Sequence, residues 1–184
     1  YLPFKPKRRT RATIARELGL ESLAHLLLEQ KDSRSLESLA ADYLGDGVPD
    51  VAAALSGARD ILAERFAEDA SARGEARRIS LEKAYLVCKL AGEEAEVDPA
   101  GKFRLYHDVV VPVPNLEPHQ WLAIQRGEAE GALKVRVELP DDDILEVMEL
   151  LFLRGPRTPL RDQVGEAIDD GYKRLLAPSL ERDL

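Results

Sequence analysis

The sequence predicts a mainly α-helical protein, built as an elongated multihelical bundle with one short β element. Leu, Ala and Glu, which favour helices, are abundant, while aromatic residues make up only 5% of the chain. Apolar residues recur at spacings of three and four in several segments, as on one face of a helix. Only residues 132–139 alternate apolar and charged side chains as a half-buried strand does.

The first 47 residues predict three short helices behind a basic N-terminal arm. Thr10 can cap a helix that runs to Leu18, and two further helices are predicted at 21–30 and 35–43. Short helices joined by tight Gly-containing turns are typical of a helix-turn-helix-like cluster. We therefore divide the chain into this cluster, residues 1–47, and a helical central region, residues 48–184.

The segment 51–69 predicts the helix around which the rest of the chain packs. Its apolar residues Leu55, Ala58, Leu62 and Phe66 lie on one helical face. Small residues dominate its first half and allow close approach by a neighbouring backbone. We predict that these four side chains are buried against at least two other helices.

The next segments are less regular. Residues 71–91 begin as a helix, but 85–90 fit a strand equally well, because periodicity cannot settle so short an apolar run. Residues 92–101 predict a polar loop, 102–107 a short helix, and 109–118 an extended connector in which prolines disfavour helix.

The remaining segments predict further helices around the strand at 132–139. One starts at Pro118 and stops at Gly127, since glycine commonly ends helices. Asp141 begins another, Thr158 and Pro159 open the next, and a last one is predicted from Pro178.

Composition excludes several classes of protein. The net charge of −8 argues against a surface that binds nucleic acid throughout, so any such contact must be local. No apolar run is long enough to span a bilayer, and we predict no membrane partner. The single cysteine, Cys88, excludes an internal disulfide and fits a reducing cytoplasm. Because the chain begins at Tyr1 without a methionine, we expect it to be a piece of a longer protein.

The basic arm is the one candidate binding site in the sequence. Its five cations are Lys5, Lys7, Arg8, Arg9 and Arg11. They can neutralise phosphates, which gives affinity without sequence information. They can equally be solvated charges that pair with the acidic excess elsewhere. Against a duplex, five contacts would give a log–log salt slope of only about −4.5.

The arm also begins with residues predicted to anchor it, and the helix-turn-helix-like cluster that follows it lacks a typical recognition helix. We expect Tyr1 and Phe4 to pack on the helices and hold the arm in place. A recognition helix offers Arg, Lys, Asn or Gln to base edges, whereas 21–30 offers mainly Glu, Ser, His and one Gln. Sequence-specific DNA reading is not expected.

No arrangement of residues predicts catalysis, a cofactor or a metal site. The histidines His25, His107 and His119 fall on separate elements, and no nucleophile–base pattern or phosphate loop is present. Four acidic residues could bind a hard cation, but an acidic first helical turn that complements the helix dipole explains them more simply. They are Asp141, Asp142, Asp143 and Glu146.

Four stretches together resemble a known family. They are YLPFKPKRRTRATIARELGL, GARDILAERFAED, the pair Lys102-Phe103 followed by Tyr106, and PHQWLAIQRGEAEG. In this order they resemble the bacterial transcription accessory protein Tex and its relatives. The resemblance implies a region that precedes a nuclease-like domain of the YqgF type, with helix-hairpin-helix and S1 nucleic-acid-binding domains further downstream.

Two functions follow as hypotheses. In the first, the chain is a non-enzymatic helical scaffold of a Tex-like RNA-binding transcription accessory protein. It would position downstream domains that contact nucleic acid, and the transcription machinery would be a further partner. In the second, the chain is a nucleic-acid-binding module in its own right, acting through the basic arm.

Overall fold

The computed structural model describes residues 9–183, which are mainly helical and include one small three-stranded antiparallel sheet. The predicted fold class is therefore confirmed. Two compact units divide the described chain: a helical unit, residues 9–73 and 145–178, and a sheet unit, residues 74–144 and 179–183. No helix within residues 9–183 combines the length and the apolar character needed to cross a membrane.

The elements follow one another along the chain with short connections. The helices are α1 (Arg11–Glu17), α2 (Glu21–Glu29), α3 (Leu36–Ala41), α4 (Val51–Glu68), α5 (Ala70–Lys83), α6 (Glu94–Val97), α7 (Pro118–Ala129), α8 (Asp141–Phe152), α9 (Pro159–Gly171) and α10 (Ala177–Asp183). The strands are β1 (Tyr85–Leu90), β2 (Asp108–Pro112) and β3 (Leu133–Glu138). A π-helical turn, Tyr172–Leu176, joins α9 to α10, and 3₁₀ turns lie at Arg104–Tyr106 and Val113–Asn115.

Helix α4 is the centre of the helical unit. It packs against α1, α2, α3 and α9. Leu55, Ala58, Leu62 and Phe66 are all buried, as their spacing predicts. The ring of Phe66 also stacks on Phe152, with centroids 4.3 Å apart. The prediction of a central helix buried against several others is confirmed.

Side-chain caps fix where the helices of this unit begin. In each case a Ser, Thr or Asp side chain accepts the backbone N–H three residues further on, which satisfies a donor that the helix itself leaves unpaired. The caps are Thr10 for α1, Ser35 for α3, Asp50 for α4 and Thr158 for α9.

One glycine allows α4 and α9 to approach closely. A Cβ atom built on Gly171 would lie 2.7 Å from the backbone oxygen of Ala63. Both residues are buried, so there is no room for even one methyl group. Glycine at this position serves contact between two backbones.

The sheet unit has the strand order β2-β1-β3. Residues 85–90 form a strand, which resolves the ambiguity in the sequence. One face of the sheet is covered: Leu86 and Cys88 of β1 form a core with Ile124 of α7. The opposite face carries the alternate residues of each strand, because side chains alternate across a strand.

Three local predictions in this unit are wrong. The extended connector at 109–118 contains β2, whose Pro112 is tolerated because it ends an edge strand. The predicted loop at 92–101 contains the short helix α6. Helix α7 does not stop at Gly127 but continues to Ala129, and the side chain of Leu133 packs where a Cβ on Gly127 would lie.

Candidate nucleic-acid interface

The structure describes two of the five arm cations. Lys5, Lys7 and Arg8, together with the anchor residues Tyr1 and Phe4, lie outside the described residues. Arg9 forms an ion pair with Glu17 of α1. Arg11, the first residue of α1, is exposed. A nucleic-acid-binding role for the arm stays a prediction.

Arg11 borders a strongly charged depression of about 430 Å³ in the helical unit. Two of its wall residues, Asp60 and Asp170, belong to an ion-pair network: the guanidinium of Arg174 donates to Asp170 at 3.1 Å through Nε and lies 3.5 Å from Asp60. The wall residues are Arg11, Ser56, Arg59, Asp60, Glu166, Asp169, Asp170 and Lys173. Four carboxylates line this depression together with Arg11, so a phosphate bound there would have to compete with them.

The pKa values of the two carboxylates in this network are shifted in opposite directions from their ordinary value. Burial raises the pKa of Asp60 above its ordinary value, although Arg174 and Arg11 act against the rise. The hydrogen bonds from Arg174 lower the pKa of Asp170 despite its partial burial. Arg11 acts to lower both pKa values, so its positive charge already stabilises the network electrostatically.

A second polar cluster lies in the sheet unit around Asp98, which is 4% exposed. Its carboxylate accepts the backbone N–H groups of Lys102 and Phe103, each at 2.8 Å. His107 Nε2 lies 2.8 Å from the same carboxylate. The three contacts tie the loop after α6 to the residue that precedes β2.

These contacts decide the ionisation of Asp98. Burial raises its pKa, but the hydrogen bonds from Phe103, His107 and Lys102 more than offset this and leave the pKa below its ordinary value. We assign the pair a structural role, the fixing of a loop.

The sequence contains a residue pattern that predicts the turn in this loop. Asp98, Pro99 and Gly101 occupy the first, second and fourth positions of a turn, a pattern typical of type I turns. The N–H of Gly101 donates to the carbonyl of Asp98 at 2.9 Å, and Gly101 has a φ of +62°. The pairing with His107, by contrast, carries no signal in the sequence.

The other candidate residues stay apart in the structure. His25 is exposed and lies 3.4 Å from Glu29, and His119 is exposed at the start of α7. Asp143 of the acidic first turn of α8 pairs with Lys83. Across residues 9–183, no group of three or more His, Cys, Asp or Glu side chains is placed to hold a metal ion.

Comparison with known proteins places the chain in a family. The family described as Tex central region-like matches residues 31–155, which is more than half of the sequence. The chain belongs to the Tex family. The resemblance predicted from the four sequence stretches is confirmed.

Relatives of this Tex family chain come from bacteria and animals. It is 42% identical over 144 residues to the transcriptional accessory protein Tex of Neisseria gonorrhoeae, covering 78% of this chain and 18% of the relative. It is 46% identical over 171 residues to protein YhgF of Escherichia coli, covering 86% and 22%. The human S1 RNA-binding domain-containing protein 1 is 28% identical over 192 residues, covering 98% and 19%. The chain thus spans about a fifth of the length of these three relatives.

Proposed function

We propose that this Tex family chain is a non-enzymatic helical scaffold that positions nucleic-acid-binding domains lying outside it. In this proposal it acts in the cytoplasm, its parent binds nucleic acid mainly through those other domains, and the transcription machinery is a further partner. No membrane partner is proposed. The buried free thiol of Cys88 is compatible with a reducing compartment.

The packing of α4 is the observation that carries the scaffold proposal. Ala54, Ala58 and Ala63 are 0% exposed, so helices pack against α4 with almost no space between backbones. Close-packed interiors have low compressibility and transmit force instead of yielding to it. A unit of this kind is suited to holding attached domains at fixed positions.

The charges around α4 support the same proposal. Arg16 pairs with Glu64 at 2.8 Å, and Arg59 pairs with Glu166 at 3.1 Å. The two arginine side chains are only 37% and 28% exposed, and each pairs with a carboxylate on another helix, so they are poor candidates for phosphate contacts. The net charge of −8 also repels a polyanion at long range.

The names of the relatives support the choice of partner. One is called a transcriptional accessory protein and another an S1 RNA-binding domain-containing protein. Each is several times longer than the part matched here, so an RNA-binding domain can lie elsewhere in such proteins. As part of the proposal, we infer that the longer protein to which this chain belongs also associates with RNA.

A salt titration tests the scaffold proposal. Binding of the chain to a labelled single-stranded RNA is followed by fluorescence anisotropy from low salt to about 0.15 M, where exposed charges are strongly screened. We expect weak binding at low salt that disappears near the upper concentration. Tight, salt-resistant binding would contradict the proposal. If Arg8→Glu with Arg9→Glu then removed that binding, the alternative of a binding module acting through the arm would replace it.

A further inference from the structure

The uncovered face of the three-stranded sheet combines exposed cations with an exposed aromatic ring. We call it the open sheet face and define it by Tyr85, Val87 and Lys89 of β1, Lys134, Arg136 and Glu138 of β3, and Asp108 and Val110 of β2. Tyr85 is 46% exposed and Val110 is 58% exposed. The opposite face is the one that packs on α7, so the exposed side chains of the open sheet face do not serve the core, although Val87 between them is buried.

Two lysines face each other across this sheet. Lys89 of β1 and Lys134 of β3 are directly paired in the antiparallel register. Like charges in directly opposed positions destabilise a sheet. Neither lysine side chain has an ion-pair or hydrogen-bond partner among residues 9–183. The repulsion between the two lysines is therefore not relieved by an ion pair among residues 9–183, although Asp108 lies opposite Lys89 on the other neighbouring strand.

Arg136 adds a third cation to the same face. It lies directly opposite Val87 and pairs with Glu138 two residues along its own strand. With Lys89 and Lys134 it lines a depression of about 340 Å³ above the buried Val87. The positive charge is thus concentrated around a shallow recess.

Tyr85 stands at the other end of β1 from Lys89. Tyr85 and Lys89 are four positions apart on β1, which corresponds to about 13 Å. This is roughly the length of two nucleotides in extended single-stranded RNA. Cations that track a phosphate backbone beside an aromatic ring that stacks a base are the chemistry by which proteins bind single-stranded nucleic acid. A duplex keeps its bases stacked inside and offers Tyr85 nothing to stack on.

Asp108 favours RNA over DNA at this face. It is exposed, lies opposite Lys89 on β2, and makes no ion pair with the described residues. A carboxylate repels phosphate but accepts a hydrogen bond from a ribose 2′-hydroxyl, which DNA lacks.

We propose that the open sheet face is a contact surface for single-stranded RNA. Lys89, Lys134 and Arg136 contact phosphates, Tyr85 stacks on a base, and Asp108 accepts from a 2′-hydroxyl. The inference goes beyond the scaffold function, because it gives the chain a weak contact of its own that supplements domains elsewhere. Three phosphate contacts correspond to a salt slope of only about −2, which agrees with weak binding.

The slope of affinity against salt tests this surface. Anisotropy with a labelled uridine oligomer is measured for the full chain and for Lys89→Gln with Lys134→Gln. We expect the slope to become shallower by about 1.4, since each phosphate neutralised on a single strand accounts for about 0.7 of it. The matched control is Lys31→Gln with Arg77→Gln, which also removes two exposed cations without a described partner, but from residues outside the three strands. The control should leave the slope unchanged.

A second variant separates stacking from charge. Tyr85→Leu keeps an apolar side chain but removes the aromatic ring. We expect it to lower affinity by about tenfold, within the range measured for one base–aromatic stack, while the salt slope stays as in the unchanged chain. A thermal melt accompanies each variant, and the Lys89 and Lys134 double variant should melt no lower than the unchanged chain because it relieves a repulsion.

Several outcomes would overturn the inference. An unchanged slope in the Lys89 and Lys134 double variant, or an equal change in the control pair, would remove the open sheet face as the site. Equal affinity for a thymidine deoxyoligomer would remove the RNA assignment. Competition by polyglutamate as strong as by unlabelled uridine oligomer would assign the face to an acidic protein segment. None of these outcomes bears on the scaffold proposal, which fails only if the chain binds tightly in salt.

Discussion

Around α4, arginines lie within ion-pair distance of carboxylates, whereas on the open sheet face two lysines oppose each other without a partner among the described residues. Arg16 and Arg59 represent the first pattern, and Lys89 and Lys134 the second. Satisfied charges and packed alanines stabilise a structure but offer nothing to a ligand. Opposed like charges cost stability and attract an anion. The difference indicates that the helical unit serves as structural support, whereas the sheet unit presents a surface for a ligand.

The largest effect is expected where the backbone of α9 approaches the backbone of α4. Gly171→Ala places a methyl group 2.7 Å from the backbone oxygen of Ala63, and backbone cannot move aside as a flexible side chain can. We expect the free energy of unfolding to fall by about 2–3 kcal/mol, the upper part of the range for overpacking a filled core. Urea denaturation followed by circular dichroism measures it.

Helix α9, which contains Gly171, also provides the control for that substitution. A Cβ on Gly165 of α9 meets no atom within 4 Å. Gly165→Ala should therefore stabilise the chain by up to about 1 kcal/mol, since alanine loses less conformational freedom in a helix than glycine does. If Gly171→Ala and Gly165→Ala had equal effects, close backbone packing would not be what supports the helical unit.

A smaller, pH-dependent effect is expected at the loop anchor of the sheet unit. Asp98→Asn weakens the contacts with two backbone N–H groups and His107 and should lower the urea midpoint at neutral pH. The folded pKa of Asp98 is below its ordinary value, so the carboxylate adds stability at pH values above the unfolded pKa of about 3.9. That contribution disappears as the pH falls through the lowered folded pKa.

The measurement is the difference in urea midpoint between the unchanged chain and Asp98→Asn from pH 7 to pH 3. We expect the difference to shrink below about pH 4. Asp46→Asn, which changes an exposed carboxylate in a turn, controls for the general effect of charge. A difference that stayed constant across this range would show that the ionised form of Asp98 does not anchor the loop.

The smallest effect should have the opposite sign. Lys134→Glu replaces a like-charge pair across β1 and β3 with an opposite-charge pair. We expect it to stabilise the chain by about 0.5 kcal/mol, within the range for cross-strand pairs. Differential scanning calorimetry would detect the rise in melting temperature. A lower melting temperature would mean that Lys134 already has a stabilising role, and the contrast between the two regions would no longer hold.

The helical unit was more predictable from sequence than the sheet unit, for physical reasons. Helix periodicity and caps are local, so Leu55 to Phe66 and Thr10 identify α4 and α1 without knowledge of the rest of the chain. Strand pairing is a contact between distant residues. Because of the prolines near β2, the sequence predicted a connector where the structure has an edge strand. No pattern in the sequence predicts that Lys89 and Lys134 lie opposite each other.

The candidate sites follow the same rule. A run of cations such as the basic arm is visible in sequence because its members are neighbours. The open sheet face is assembled from three segments, β1, β2 and β3, by a register that only the fold supplies. His107 likewise meets Asp98 only because a turn brings residues nine positions apart together.

Chemical-shift mapping tests the division between a supporting and a presenting region most directly. The full chain, labelled with ¹⁵N, is titrated at low salt with a uridine oligomer, and amide shifts are followed by NMR. The account predicts shifts concentrated at Tyr85, Lys89, Lys134 and Arg136, with the amides of α4 unchanged. Shifts concentrated in residues 9–11 or along α4, with the sheet unaffected, would contradict it.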